Sequence, residues 1–217
     1  MIHLSLNKGS RGRLTVLCLG AHSDDIEIGC GGTILWLADK YPGAMFHWIV
    51  FSALGPRRHE ALKAAELFTA GCYKKKVVVK NYRDGFLPFS GSKLKDFFER
   101  MKDQLNPDLI FTPWRRDAHQ DHRLLAELSW NTFRDHLILE YEIPKYDGDL
   151  GQPNVFVPLD LEVSQKKVRY LMEVFLSQHT KRWFQQETFL SLMRLRGMEC
   201  NGPSRYAEAF YCHKLVL

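Results

Sequence analysis

LTVLCLGAHSDDIEIGCGGTILWLADK occupies residues 14–40. Its first part, residues 14–20, is a short apolar run that ends in glycine, which is typical of a buried parallel strand. Glycines and an apolar stripe at helical spacing predict a helix over residues 29–40, and the Tyr-Pro-Gly that follows would end it. The polar residues 21–25 therefore lie at the carboxyl end of the predicted strand.

The same alternation continues along the chain. Further strands are predicted at residues 44–51, 77–79, 109–112, 137–141, 155–157 and 209–216, and further helices at residues 56–71, 94–105, 122–133, 165–176 and 187–195. This order favours an α/β fold: one Rossmann-like domain over residues 1–217, with an open, mainly parallel sheet and helices on both faces. Residues 155–157 would be an edge strand, and residues 145–158 a long functional loop. Such sheets bind ligands at the carboxyl ends of their strands.

Composition excludes several classes of protein. With 217 residues, 45% hydrophobic and 25% charged, the chain is neither disordered nor fibrous. Its apolar runs are far shorter than the roughly 18 residues of a membrane span, and its N-terminus does not resemble a signal peptide. Five scattered cysteines without a Cys-x-x-Cys pair indicate reduced thiols, so we expect a cytoplasmic protein.

The charge balance says little about large partners. Thirty Lys and Arg against 25 Asp and Glu leave a net charge of +5, with one dense run at residues 74–76 that we expect to be a solvated face. The surplus would attract an anionic substrate weakly. No nucleic-acid-binding signature accompanies it, so we expect a small-molecule substrate and no nucleic acid. A homo-oligomer is compatible with the sequence.

Two clusters of His and Asp carry the chemistry. His22 and Asp25 are three residues apart after the first strand, and they suit zinc or another first-row divalent metal. Taken alone, this segment favours capping of the following helix by Ser23, Asp24 or Asp25, with His22 as a surface histidine. After the fourth strand, His119 and His122 repeat the spacing, with Asp121 between them. Two His and one Asp, with a position open for water, are the usual ligands of a hydrolytic zinc centre, so Zn²⁺ is the expected cofactor.

These residues also carry a family resemblance. HSDDIEIGCGGT at residues 22–33, together with HQDH at residues 119–122, resembles the paired motifs of the PIG-L/LmbE-like N-acetylglucosaminyl deacetylases. Arg57-x-x-Glu60 and YAEAF at residues 206–210 are similar to further segments of that family. The resemblance therefore spans most of the chain.

The resemblance implies a role for each site residue. The zinc ligands would be His22, Asp25 and His122, and the general base would be Asp24. His119 would polarise the amide oxygen or protonate the leaving nitrogen, and Asp121 would orient His119.

We also predict roles for Arg57, Trp114 and Glu27. Arg57 would contact substrate hydroxyls at the mouth of the site, with Arg58 as the alternative if the register slips by one. Trp114 is the tryptophan expected to meet a sugar ring. The family often has an acidic residue one place before Glu27, and we expect the Glu27 carboxylate to hydrogen-bond the backbone of the motif loops.

The main hypothesis is a zinc-dependent hydrolase that deacetylates an N-acetylated amino sugar linked to a nucleotide, a lipid or a glycoside. One alternative is a nucleotide-sugar glycosyltransferase, whose Asp-rich loop would hold magnesium or manganese. The other is a non-catalytic sugar-binding protein. Metal analysis separates the first two, since two histidines favour zinc, and zinc-dependent turnover would exclude the third.

Overall fold

A computed structural model describes residue 6 and residues 13–216. Its strands are β1 (Thr15–His22), β2 (Met45–Ser52), β3 (Lys74–Val79), β4 (Leu109–Pro113), β5 (Leu137–Tyr141), β6 (Val155–Leu159) and β7 (Tyr206–Tyr211). Its α-helices are α1 (Asp25–Lys40), α2 (Pro56–Phe68), α3 (Gly91–Gln104), α4 (Gln120–Thr132), α5 (Leu161–Val174) and α6 (Gln186–Glu199). No helix in the described part of the chain is long and apolar enough to cross a membrane.

All seven strands form one sheet in the order β3-β2-β1-β4-β5-β7-β6. The first five strands of this order are parallel, and β7 runs antiparallel to both of its neighbours. The predicted α/β fold with an open, mainly parallel sheet is therefore confirmed, and β6 is the edge strand that the sequence indicates.

Alternate residues of the central strands pack on opposite faces of the sheet. Val16 and Cys18 belong to the larger core cluster, which includes buried residues of α1, α2, α5 and α6. Leu17 and Leu19 belong to the smaller cluster, which α3 and α4 cover. Burial on both faces explains why these strands are continuous apolar runs rather than alternating ones.

The strand order reverses between β1 and β4. β2 pairs with β1 on one side, and β4 pairs with β1 on the other. Pairing of β1 with β4 extends only from Val16 to Cys18, whereas its pairing with β2 continues to His22. A crevice at such a switch point is the usual ligand site of an open α/β sheet, and both His/Asp clusters border it.

Helix α1 begins four residues earlier than the sequence predicts. It starts at Asp25 instead of residue 29, and Cys30, with φ −143° and ψ 16°, interrupts it. Beyond the interruption, the backbone N–H groups of Gly32 and Thr33 donate to the Glu208 carboxylate at 2.8 and 2.6 Å. A side chain from β7 thus caps the second part of α1. The apolar periodicity of the sequence predicted only this second part as helix.

Glycine allows α1 to approach the sheet closely. A Cβ atom at Gly29 would lie 2.1 Å from Cδ2 of Tyr141, so only glycine fits there. The buried Tyr141 hydroxyl donates to the Leu19 carbonyl at 2.7 Å. This contact ties β5 to β1 directly below the first His/Asp cluster.

The ends of the chain's later elements also differ from prediction. The expected loop at residues 145–158 is shorter, because β6 begins at Val155. The closing strand lies at Tyr206–Tyr211 rather than at residues 209–216, since its pairing partners in β6 and β5 end there.

Candidate metal centre and active site

The two clusters occupy equivalent places at the carboxyl ends of adjacent strands. His22 is the last residue of β1 and Asp25 the first residue of α1. His119 is the N-cap of α4, and His122 lies in its first turn. Because β1 and β4 are neighbours, the four side chains meet in the crevice between them.

Three donor atoms converge there. His22 Nδ1 lies 3.1 Å from His122 Nε2, and Asp25 Oδ2 lies 3.4 Å from the first and 3.3 Å from the second. Asp25 Oδ2 also accepts the backbone N–H of His22 at 2.7 Å, which fixes the carboxylate. Ligands about 2.1 Å from a tetrahedral zinc ion stand about 3.4 Å apart, so the three separations fit such a site.

The opposite ring nitrogens of both histidines face carboxylates. His22 Nε2 lies 3.1 Å from Asp84 Oδ1 and 3.3 Å from Asp121 Oδ2. His122 Nδ1 lies 3.0 Å from Asp117 Oδ2. Carboxylates in this position are characteristic of metal-binding histidines, because they hold the ring and its tautomer.

The electrostatics of the cluster favour a cation. Burial lowers the pKa of His122, but Asp25 and Asp117 outweigh it and raise that pKa to about 9. His22 behaves in the same way: burial opposes its charged form, yet Asp25, Asp121 and Asp84 raise its pKa well above the usual value. A divalent metal held by His22 Nδ1, His122 Nε2 and Asp25 would supply this positive charge, while the outer N–H of each ring would remain bonded to the carboxylate behind it. The donor set and its charge therefore fit zinc.

Two other groups of donors lie nearby. The ring nitrogens of His22, His119 and His122 fall within 4.8 Å of one another, and so do donor atoms of His22, Asp84 and Asp121. Both groups contain His22. In the group with Asp25, none of the separations exceeds 3.4 Å.

Asp24 lies beside the donors and lines the same cavity. Its side chain is only 5% exposed, and Arg57 Nη2 donates to its Oδ1 at 3.2 Å. Burial and the neighbouring Asp25 raise the pKa of Asp24, whereas Arg57 opposes them. This is the environment of a general base, because a raised pKa strengthens the carboxylate as a proton acceptor.

His119 has a defined hydrogen-bonding pattern. The backbone N–H of Asp121 donates to His119 Nδ1 at 3.2 Å, so Nδ1 is an acceptor and the proton of the neutral ring is on Nε2. Burial and the charges of His122 and His22 lower the pKa of His119. Since His119 also lines the cavity, its Nε2–H is available to a substrate oxygen.

Asp121 does not contact the His119 ring through its carboxylate. Its side chain is fully buried and accepts the backbone N–H groups of Gly85 and Leu87 at 2.8 and 3.1 Å. The expected orientation of His119 comes from the Asp121 backbone instead. The carboxylate joins the loop after β3 to His22.

Arg57 lines the cavity, whereas Arg58, the alternative, does not. Arg57 donates to Ser23 Oγ, to Asp24 and to Asp84 Oδ2, the last at 2.8 Å. Arg58 donates to the Val79 carbonyl instead. A guanidinium has five N–H donors, so Arg57 can hold these partners and still bind a substrate hydroxyl.

Trp114 lies away from the cavity. Its ring stacks on Tyr211 at a centroid distance of 4.3 Å, and Gly151 packs against it. Its backbone N–H continues the pairing of β4 with β5 by donating to the Tyr141 carbonyl at 3.0 Å. Trp183 lines the cavity instead.

Glu27 also differs from expectation. It is fully buried, and neither carboxylate oxygen has a hydrogen-bond partner among the described residues. Burial, together with Asp24 and Asp25, raises the pKa of Glu27 well above its usual value. Its carboxylate therefore does not bind the motif backbone.

Sequence reasoning missed several residues of the site. Asp84 follows the third strand, and Asp117 lies two residues before the second cluster. Because both residues lie in loops at strand ends, their positions could have identified them as site residues. The residues that complete the mouth of the cavity are Ile143, Lys145, Tyr146, Asp147, Lys181 and Trp183. The predicted functional loop at residues 145–158 supplies Lys145, Tyr146 and Asp147, whereas no such signal existed for Lys181 and Trp183. The cavity has a volume of about 240 Å³.

Comparison with known proteins identifies relatives. Residues 17–133 match the family model of PIG-L, GlcNAc-PI de-N-acetylase. Over 147 residues the chain is 30% identical to the uncharacterized deacetylase YaiS of Escherichia coli (strain K12), covering 61% of this chain and 75% of YaiS.

Solved structures share the fold at lower identity. The N,N'-diacetylchitobiose deacetylase of Pyrococcus horikoshii is 22% identical, with a TM-score of 0.64 over 92% of this chain and 83% of that one. GalB, the 4-carboxy-2-hydroxymuconate hydratase of Pseudomonas putida KT2440, is 17% identical, with a TM-score of 0.71 over 94% and 98%. Because a deacetylase and a hydratase share this fold, the reaction must be argued from site residues.

Proposed function

The chain belongs to the PIG-L family of de-N-acetylases, and from this premise we propose that it is a zinc-dependent hydrolase of an N-acetylated amino sugar. Deacetylation is the activity of the family. The zinc dependence and the sugar substrate, linked to a nucleotide, a lipid or a glycoside, are our proposal.

One observation carries the proposal: the tight convergence of His22 Nδ1, Asp25 Oδ2 and His122 Nε2, with Asp24 and His119 lining the same cavity. His22, Asp25 and His122 would hold the zinc ion. When bound there, zinc would act as a Lewis acid that lowers the pKa of a water molecule. The protein residues perform the remaining steps.

Asp24 would transfer the protons. It accepts one from the attacking water as oxygen bonds to the amide carbon, and it returns that proton to the amide nitrogen as the C–N bond breaks. The products are acetate and the free amine. Arg57, which donates to Asp24 Oδ1 at 3.2 Å, holds the carboxylate in place and favours its ionised form before the reaction.

His119 would stabilise the charge that develops on the amide oxygen. Its Nδ1 already accepts the Asp121 N–H, so the protonated Nε2 is the group that faces the substrate. A donor held in this way requires no rearrangement as the charge appears.

The mouth of the cavity suits a sugar ring. Trp183 supplies an aromatic face and Arg57 supplies N–H donors for hydroxyl groups. In this proposal Trp183 contacts the sugar ring, the role that was predicted from the sequence for Trp114.

The test combines metal content with acetate release. Purified protein is stripped with a chelator, reloaded with one equivalent of zinc, and assayed for acetate release from a panel of N-acetylglucosamine compounds. We expect release only from the loaded protein, and a loss of about a thousandfold in Asp24→Asn with its zinc retained. No release from any compound, or unchanged turnover in Asp24→Asn, would refute the mechanism.

A further inference from the structure

Three cationic side chains line the cavity, and two of them are already neutralised. Arg57 pairs with Asp24 and Asp84, at 3.2 and 2.8 Å. Lys145 Nζ lies 2.9 Å from Asp117 and 2.6 Å from Asp149. The third cation, Lys181, forms no ion pair with any residue that the structure describes.

Lys181 lies on a well-anchored turn. Its backbone N–H donates to the Gln178 carbonyl at 2.9 Å, and its own carbonyl accepts the N–H of Phe184 at 3.0 Å. The Phe184 ring is fully buried and packs edge-on against Phe175 and Phe189. The turn is therefore fixed to the core, so that Lys181 occupies a defined place at the cavity.

An aromatic group accompanies this charge. Lys181 Nζ lies 5.5 Å from the centre of the Trp183 ring, within the range of a weak cation–π contact. The Tyr146 hydroxyl accepts the N–H of Arg182 at 3.1 Å, which joins the turn to the segment on the other side of the mouth. Asp147 lines this mouth too, but it is exposed and forms no ion pair among the described residues.

Lys181 shares its cavity with the reacting groups. Asp24 and His119 line the same cavity, and Lys181 is half-buried there. A half-buried lysine without a counter-ion among the described residues favours a ligand that brings its own negative charge.

We propose that Lys181 recognises an anionic group of the substrate, so that the preferred substrate is an N-acetylated amino sugar carrying a phosphate or carboxylate beside the ring that stacks on Trp183. This inference rests on the proposed deacetylase function and narrows its substrate class. Lysine presents a compact charge that suits either anion.

The kinetic test uses matched substrates and matched variants. The neutral substrate is methyl N-acetylglucosaminide, and the anionic ones are N-acetylglucosamine 1-phosphate, N-acetylglucosamine 6-phosphate and N-acetylmuramic acid. Lys181→Met removes the charge while keeping the aliphatic chain, and Arg182→Met removes an exposed neighbouring charge outside the cavity.

We expect wild-type protein to prefer at least one anionic substrate. Lys181→Met should raise the KM for that substrate about tenfold and leave the KM for the neutral substrate unchanged, whereas Arg182→Met should alter neither. Asp147→Asn should lower the KM for the anionic substrate, because it removes a like charge from the mouth. The two phosphates and the carboxylate show which anion, and which position on the sugar, Lys181 recognises.

A binding measurement separates this inference from the proposed function. Calorimetric titration of N-acetylglucosamine 1-phosphate, its 6-phosphate and N-acetylmuramic acid into Asp24→Asn protein, with and without Lys181→Met, does not depend on turnover. Acetate release from neutral and anionic substrates alike, with no effect of Lys181→Met, would overturn the inference and leave the deacetylase proposal intact. Failure of every compound to release acetate would refute the deacetylase proposal. Binding of all three anions unchanged by Lys181→Met would refute the inference by itself.

Discussion

Residues 22–25 and residues 119–122 share one frame, with His first, Asp third and an inferred metal ligand fourth. In the first segment the first and fourth side chains face the metal position, and the third, Asp24, lines the cavity. In the second segment the fourth residue faces the metal position, the first lines the cavity, and the third, Asp121, is fully buried. Equal spacing therefore yields different roles.

The start of the helix explains the difference. The N-cap of α1 is Asp24, the third residue of its segment, whereas the N-cap of α4 is His119, the first residue of its segment. Two residues of helix correspond to a rotation of about 200°. Side chains in the same place of the frame consequently point in different directions, and the following predictions test the roles that result.

The largest effect is expected for His122→Ala. Removal of a metal ligand should lower zinc affinity more than a hundredfold, beyond the roughly 10- to 100-fold typical of losing an outer carboxylate. Bound metal stabilises only the native state, so the zinc-dependent rise in Tm should disappear as well. Metal analysis after dialysis and melting curves with and without zinc measure both effects. A variant that keeps its zinc and its activity would show that His122 is not a ligand.

His119→Ala is the matched variant in the same segment. It should keep its zinc and lose about a hundredfold in turnover, because it removes an oxyanion donor but no ligand. Zinc content and the rate of acetate release are measured on the same preparation. If both histidine variants lose zinc equally, the ligands are instead the trio of His22, His119 and His122.

A smaller effect separates the carboxylates behind the two inferred histidine ligands. His122 Nδ1 faces one carboxylate, Asp117, whereas His22 Nε2 faces two, Asp84 and Asp121. Asp117→Asn should therefore lower zinc affinity about tenfold, and Asp84→Asn should lower it less, since Asp121 still holds His22. Competition with a chromophoric chelator gives both affinities. A greater loss in Asp84→Asn would reverse the ranking.

The last effect, on folding rather than on metal binding, concerns the third residue of each frame. Asp121→Asn should lower the free energy of unfolding of zinc-free protein by about 1–3 kcal/mol, because an amide group cannot accept both backbone N–H groups of the loop after β3. Asp24→Asn should not destabilise the zinc-free protein, since its carboxylate is buried beside Asp25. Urea unfolding compares the two. Equal destabilisation would mean that Asp24 also supports the fold.

Local patterns were sufficient for the sheet and for part of the site. Short apolar runs marked the buried strands, the first of them ended by glycine, and the alternation with helices predicted parallel order. Both clusters follow strands of one sheet, so their convergence was predictable, and the family resemblance implied the proximity of Arg57. The start of α1 was not, because Glu208 of β7 caps its second part from 176 residues away in sequence.

The sequence by itself determined the alternation of strands and helices and the donor types that follow β1 and β4, because burial and spacing within an element are encoded locally. Only the tertiary structure decided which side of each cluster faces the crevice, and it set Trp114 on Tyr211 while bringing Trp183 to the cavity. It alone also left Lys181 without a carboxylate among the described residues while neutralising Lys145 with Asp117 and Asp149. The physical reason is that the pair of Lys145 and Asp117 joins loops 28 residues apart in sequence, and its distance depends on how the chain crosses the sheet rather than on any pattern within one segment.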